Sequence, residues 1–327
     1  MFEPKQITPV DDTRPYPDIY AKVLAHSIAN SKEFISYEIK VPRIIWSEFM
    51  THRVLSKNAA SSRAVPIKAV NALVLNSPAF PVHWGKHQAG MQAFEEHDAL
   101  INGYTAYEWW CLAGKSAVEF SQGFDDAGYA KQIANRLTEP FTYIVAVVSG
   151  TDWDNFFHLR IHEMADHTLY ALAHAIYQAR VNSTPKVLRP GEWHLPYYKD
   201  GFWSEYLDGK DVHGHTLKEA QMISASCCAQ VSYRKLDDSL EKAETVFNKL
   251  NIDADSDDPC HASPTEHQAT PMHTPVWHPD MFEVEDWEIG VTHMDRQFRL
   301  WSGNLCGWVQ YRQTIKGHTC TAYVPHT

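Results

Sequence analysis

Thr51-His52-Arg53-Val54-Leu55-Ser56-Lys57-Asn58-Ala59-Ala60-Ser61-Ser62-Arg63 is the stretch on which the reading of this chain turns. It gathers two arginines, a histidine, an asparagine and several hydroxyls directly behind an apolar segment, Trp46, Phe49 and Met50, which Pro42 opens as a helix. Small residues let the backbone approach a ligand closely, and serine and asparagine supply adaptable hydrogen bonds. The planar fork of arginine matches phosphate oxygens in pairs. By composition alone residues 56–66 read as a polar loop.

Outward from that stretch, alternating apolar residues predict a strand near Phe34–Lys40. Helices are expected from about Gly90 to Gln122 and from Asp126 to Leu137. The β-branched run 142–150 predicts a strand, and Thr151 is a candidate N-cap for one long helix, Trp153–Gln178. Residues 182–216, rich in proline, glycine and aromatics, read as an ordered connection. A helix–strand unit is expected over Thr216–Tyr233 and a charged helix near Ser239–Leu250. Residues 256–280 read as loop, and 283–327 as short strands. The predicted class is α+β, a mixed sheet packed with long helices in a single interwoven domain over 1–327.

With 327 residues, 44% hydrophobic and 21% charged, the chain can bury a large core. A net charge of −11 and the lack of a Lys/Arg-rich stripe exclude a nucleic-acid polymer as the natural partner. A phosphate ligand would be a nucleotide held by a few placed arginines. No run approaches eighteen apolar residues, and the N-terminus lacks the order of a signal peptide, so no membrane partner and a cytoplasmic location are expected. The six cysteines form no CxxC pair and read as reduced thiols.

Two further constellations stand out. Residues 128–143 carry Arg136 and Pro140, and residues 150–160 carry Asn155 and Arg160. On one continuous helix Arg160, Glu163, His167 and His174 would share a face. Late in the chain come Ala229-Gln230-Val231-Ser232-Tyr233 and then His261-Ala262-Ser263-Pro264-Thr265-Glu266-His267.

Taken together, these segments resemble the flavin-dependent thymidylate synthases. The family signature is Arg-His-Arg-x(2)-Ser-x-Asn-x(2)-Ser-x-Arg, and His52, Arg53, Ser56, Asn58, Ser61 and Arg63 fall on it. The resemblance implies that His52, Arg53 and Asn58 hold FAD and that Ser61, Ser62 and Arg63 bind the nucleotide phosphate. Arg136 matches a phosphate-binding arginine that the family supplies from a neighbouring subunit. Asn155 would contact the flavin, and Arg160 the uracil carbonyls, as the catalytic residue. The Ala229–Tyr233 and His261–His267 elements match segments that the family places before the arginine signature. The chain is therefore similar to a rearranged member, with Ser232, His261, Ser263 and Glu266 also on FAD. Matching segments span 20–66, 126–180 and 222–268; residues 67–125 and 270–327 lie outside them.

The resemblance implies reductive methylation of dUMP to dTMP, with methylenetetrahydrofolate and NADPH as co-substrates, in a homotetramer whose sites lie between subunits. Thr51 and Glu48 replace an arginine and a glutamine of the family pattern. Gln310 and Arg312, on one face of an expected strand, are candidates to compensate. A pyrimidine hydroxymethylase acting on dUMP or dCMP is the alternative of the same scaffold. Less favoured are a zinc hydrolase built on His158 and His162, a thiolate mechanism at Cys260, and a non-catalytic nucleotide-binding protein. No metal is expected.

Overall fold

The computed structural model describes residues 16–90, 93–231, 236–252, 258–277 and 286–322. The chain opens on a hairpin, β1 (Tyr20–Ala29) and β2 (Lys32–Pro42), then a short 3-10 turn and α1 (Trp46–Phe49). β3 (Ser56–Ala59) follows, where a loop was expected. Its residues have little strand propensity, and it extends because it pairs along β4 (Tyr143–Gly150), with Ser56 opposite Ser149 and Asn58 opposite Val147. Between these strands lie α2 (Ile67–Asn76), α3 (Ala106–Asp126) and α4 (Lys131–Ala134).

Three helix expectations require correction, the first being Asp126–Leu137, where residues 127–130 lie outside any helix and only α4 and a 3-10 turn, Asn135–Leu137, follow. Residues 93–105 are not helical; α3 starts only where Thr105 and Glu108 form a capping box. The single helix expected over 153–178 is two, α5 (Asp154–Arg160) and α6 (His167–Val181). Ile161 leaves the helical region at ψ 63°, and the Asp166 carboxylate accepts from the amides of Thr168 (2.9 Å) and Leu169 (3.0 Å), starting a new helix. Arg160 therefore shares no helix face with His167 or His174.

The chain continues through β5 (Lys186–Val187), β6 (Trp193–His194) and β7 (Phe202–Trp203) to α7 (Leu217–Ala229) and α8 (Leu240–Leu250). Thr216 and Ser239 cap these last two helices. β8 (Ala269–Pro271), β9 (His293–Met294), β10 (Leu300–Ser302), β11 (Leu305–Cys306) and β12 (Trp308–Gln310) complete the mixed α+β architecture.

Among the described residues the largest sheet has the order β3-β4-β2-β1-β5, antiparallel except for the β1–β5 pair. Strand alternation sends Ile35, Tyr37, Ile39 and Val41 to one face. They pack there with Leu169, Leu172 and Ile176 of α6 and Phe156 of α5. The opposite face presents Phe34 and Ser36, and against it sits a second layer: the sheet β12-β8-β6-β7 with α7. Trp308 and His194 both pack on Phe34. Among the described residues no helix is long and apolar enough to cross a membrane.

Candidate functional site

β3 is an edge strand, so the 51–63 stretch runs along the rim of the large sheet. The turn leading into it is held by Lys57, whose ammonium donates to the carbonyls of His52 and Leu55 (3.0 Å to the latter). Burial lowers the Lys57 pKa to about 8, with the Glu266 carboxylate opposing the shift. His52 is buried edge-on against Phe156, and its Nε2 accepts from Arg160 Nε at 2.9 Å. Burial first, then the charges of Arg160 and Lys57, push the His52 pKa down to about 4. A neutral acceptor thus orients the Arg160 guanidinium without neutralising it. Glu48, exposed on α1, lies near both Arg160 and Asp166. Partial burial and Asp166 raise its pKa, and Arg160 opposes them.

The second side of the site comes from the 3-10 turn Ser263–His267. One terminal atom of the Asn58 amide lies 3.1 Å from Ser263 O, 3.3 Å from Lys57 O and 3.2 Å from His267 Nε2. Two carbonyls can only accept, so that atom is the amide nitrogen. The other terminal atom, the oxygen, faces Ser263 Oγ at 3.4 Å. Glu266 pairs with Arg312, and Gln310 Nε2 donates to Glu266 O (3.1 Å) and to Asn304 Oδ1 (2.9 Å). Asn304 in turn donates to Val54 O at 3.0 Å and bonds the Ser56 hydroxyl. Gln310 and Arg312 do meet one candidate residue, Glu266, but not from one strand face. β12 ends at Gln310, and Arg312 lies in a 3-10 turn. Its carboxylate partner is Glu266.

A third group surrounds residues 61–64. Ser61 Oγ accepts from the Arg63 amide (3.3 Å), and Ser62 Oγ donates to Glu139. Glu139 lies 3.8 Å from Arg136, which is exposed, as are Arg53 and Arg63. Asn135, fully buried, donates to the carbonyls of Ser62 (2.8 Å) and Val65 (3.0 Å). Within one chain, then, the turn carrying Arg63 is tied to the segment carrying Arg136.

Asn155 is exposed in the first turn of α5, about 140° around the helix from Arg160, and is not brought into this cluster. His261 is exposed beyond α8, its amide donating to Leu250 O. Ser232 lies outside the described residues. His162 follows the end of α5 and so does not share a helix with His158. Among the described residues no group of three or more His, Cys, Asp and Glu is arranged to hold a metal.

The sequence reading passed over Lys57, Asn135, Glu139, His267 and Asn304. His267 closed a quoted segment and was open to assignment. Asn304 follows Gly303 in a tight turn, a weak signal. The others act through contacts that only the tertiary fold creates.

No protein-family model matches the chain, and no curated protein matches it in sequence. Among solved structures it is similar to a UMP/dUMP methylase, PolB, from Streptomyces cacaoi. With 5-Br UMP bound, the TM-score is 0.41 at 15% identity, covering 51% of this chain and 90% of that one. With 5-Br dUMP bound, the TM-score is 0.37 at 15% identity, covering 51% and 92%.

Proposed function

We propose that this protein is an FAD-dependent enzyme that modifies C5 of a pyrimidine deoxynucleotide, with dUMP converted to dTMP by reductive methylation. Methylenetetrahydrofolate would supply the carbon and NADPH the reducing equivalents. One observation carries the reading: segments that stand out of the family's order in sequence meet in space. Asn58 contacts Ser263 and His267 across more than 200 residues, while Arg160 and His52, whose segments are not displaced, meet across 108.

The residues present suit a flavin dinucleotide. Asn58 and Ser263 offer neutral hydrogen-bonding groups, Arg53 is an exposed cation, and Glu266 has its charge compensated by Arg312. When bound, FAD would supply the hydride chemistry. Arg63 and Arg136 would take the nucleotide phosphate. Arg160, oriented by neutral His52, would stabilise the electron-rich pyrimidine that makes C5 nucleophilic. A homotetramer with shared sites belongs to the same reading.

Glu48 favours a second reading on the same scaffold. A carboxylate beside Arg160 suits a base with an exocyclic amino group, so hydroxymethylation of dCMP is the alternative. Purified protein should take up FAD and be bleached by NADPH, and mass spectrometry with dUMP and dCMP supplied separately identifies the product. Colourless protein that will not bind FAD rejects both.

A further inference from the structure

A line of buried serines and histidines crosses the second face of the large sheet. Strand register places Ser36 of β2 directly opposite Ser149 of β4, while Ser27 of β1 lies opposite Phe34 on the same face. His194 of β6 and His267 of the 263–267 turn insert from the second layer. The contacts form one chain: Asn58 to His267 Nε2 (3.2 Å), His267 Nδ1 to Ser149 Oγ (2.8 Å), and Ser149 Oγ to Ser36 Oγ (2.6 Å). It continues from Ser36 Oγ to His194 Nε2 (2.8 Å) and from His194 Nδ1 to Ser27 Oγ (2.8 Å). Every member beyond Asn58 is fully buried.

Burial depresses the pKa of both imidazoles, His267 to about 3 and His194 well below its ordinary value. Each is neutral, so each has one N–H and one lone pair. Such a chain has two self-consistent arrangements, with every donor pointing toward Ser27 or every donor pointing toward Asn58. A reversal of direction would have to fall on a serine that accepts from both neighbours, leaving its own hydroxyl hydrogen without a partner in the chain and out of reach of water. The Asn58 end decides, because the carbonyls of Ser263 and Lys57 require the amide nitrogen there.

We infer that Asn58 donates into a hydrogen-bond chain of single polarity through His267, Ser149, Ser36, His194 and Ser27, and that this chain fixes the Asn58 carbonyl oxygen on the side of the Ser263 hydroxyl, as an acceptor for a ligand N–H or O–H. Ser36, Ser149, His194 and Ser27 are thus positioning residues that act on the site through His267. The ligand consequence rests on the proposed flavin site; the polarity does not.

Histidine-selective 15N NMR of the ligand-free full chain separates the two. Both His267 and His194 are expected as Nδ1–H tautomers at neutral pH. Asn58→Asp, which can only accept, should convert both rings to Nε2–H, although His194 touches neither residue 58 nor its neighbours. Ser149→Ala, a change of one oxygen, should leave His194 as a mixture of tautomers even though both its direct partners, Ser27 and Ser36, remain. An Nε2–H tautomer at His267 in the unaltered protein overturns the inference. So does a His194 tautomer unchanged in folded Asn58→Asp or folded Ser149→Ala protein.

Discussion

Arg160, at the last position of α5, places its Nε 2.9 Å from Nε2 of His52, which lies just before the edge strand β3. The two residues fix each other. The guanidinium can only donate, so His52 must keep Nε2 unprotonated, and the imidazole selects one orientation of the arginine. The end of α5 at Ile161 matters for the same reason: the arginine is set at a helix terminus, free of the packing that runs along α6.

Removing that imidazole should be felt at the chemical step. His52→Phe keeps the ring contact with Phe156 while deleting the acceptor. A hydrogen bond to a charged group is worth about 1.5–3 kcal/mol, or about ten- to a hundredfold. With dUMP as substrate, kcat should fall by about that factor with KM little changed, and Arg160→Ala should fall further. A loss confined to KM would assign Arg160 to ground-state binding alone.

Arg63→Ala and Arg136→Ala should weaken nucleotide binding by about ten- to a hundredfold each while sparing FAD, since each removes a charge-assisted contact to phosphate. Titration of dUMP into FAD-loaded protein measures this. Equal loss of FAD from both variants would indicate damage to the 61–64 turn rather than to a phosphate site.

Much of the framework was legible locally. The alternation that marks β2, the β-branched run of β4 and the hydroxyl caps of α7 and α8 are all written within a few residues. β3 was not, because a polar tetrapeptide becomes a strand only when β4 lies beside it. The break between α5 and α6 was hidden by apolar residues continuing past Arg160, although Asp166 was a readable cap. In the site, the residue types at 52–63 and 261–267 pointed to ligand chemistry. Their meeting, and the clamp that Asn304 and Gln310 add, depend on contacts hundreds of residues apart. His194 and Ser36 carried no local sign of their connection to Asn58.

Acid should destabilise this protein well before its carboxylates titrate. His194 and His267 are neutral when folded, with His267 at about 3, whereas an unfolded histidine takes its proton near 6.5. Below that value the unfolded chain binds protons that the native chain refuses. The stability contribution is therefore complete above about pH 6.5 and is lost as pH falls toward about 3. Two such histidines give a limiting slope of about 2.7 kcal/mol per pH unit, to which His52 adds. Urea midpoints at pH 7, 6 and 5 and constant ionic strength should fall accordingly, and His267→Gln should reduce the slope. Midpoints independent of pH would show that the buried imidazoles are protonated or hydrated in the native state.

Gly303, in the turn between β10 and β11, has φ +58°, and a Cβ there would lie 2.7 Å from Gln310 Oε1 and 3.0 Å from Gln313 Nε2. Two costs follow from Gly303→Ala. The left-handed backbone alone costs a residue with a Cβ about 1–2 kcal/mol. The clash must also move Gln310, which is buried and bonds Glu266 O and Asn304 Oδ1. Asn304 then loosens its hold on Val54 O and Ser56, so the strain reaches β3 and Asn58. Gly317 is the control: its φ is +74°, and a Cβ would meet nothing within 4 Å. Gly317→Ala should show the backbone cost only, with FAD affinity unchanged. Gly303→Ala should lose about 1–3 kcal/mol more in urea unfolding and should bind FAD more weakly. If the two variants lose equal stability and both keep FAD, the Gln310–Asn304 clamp does not support the site.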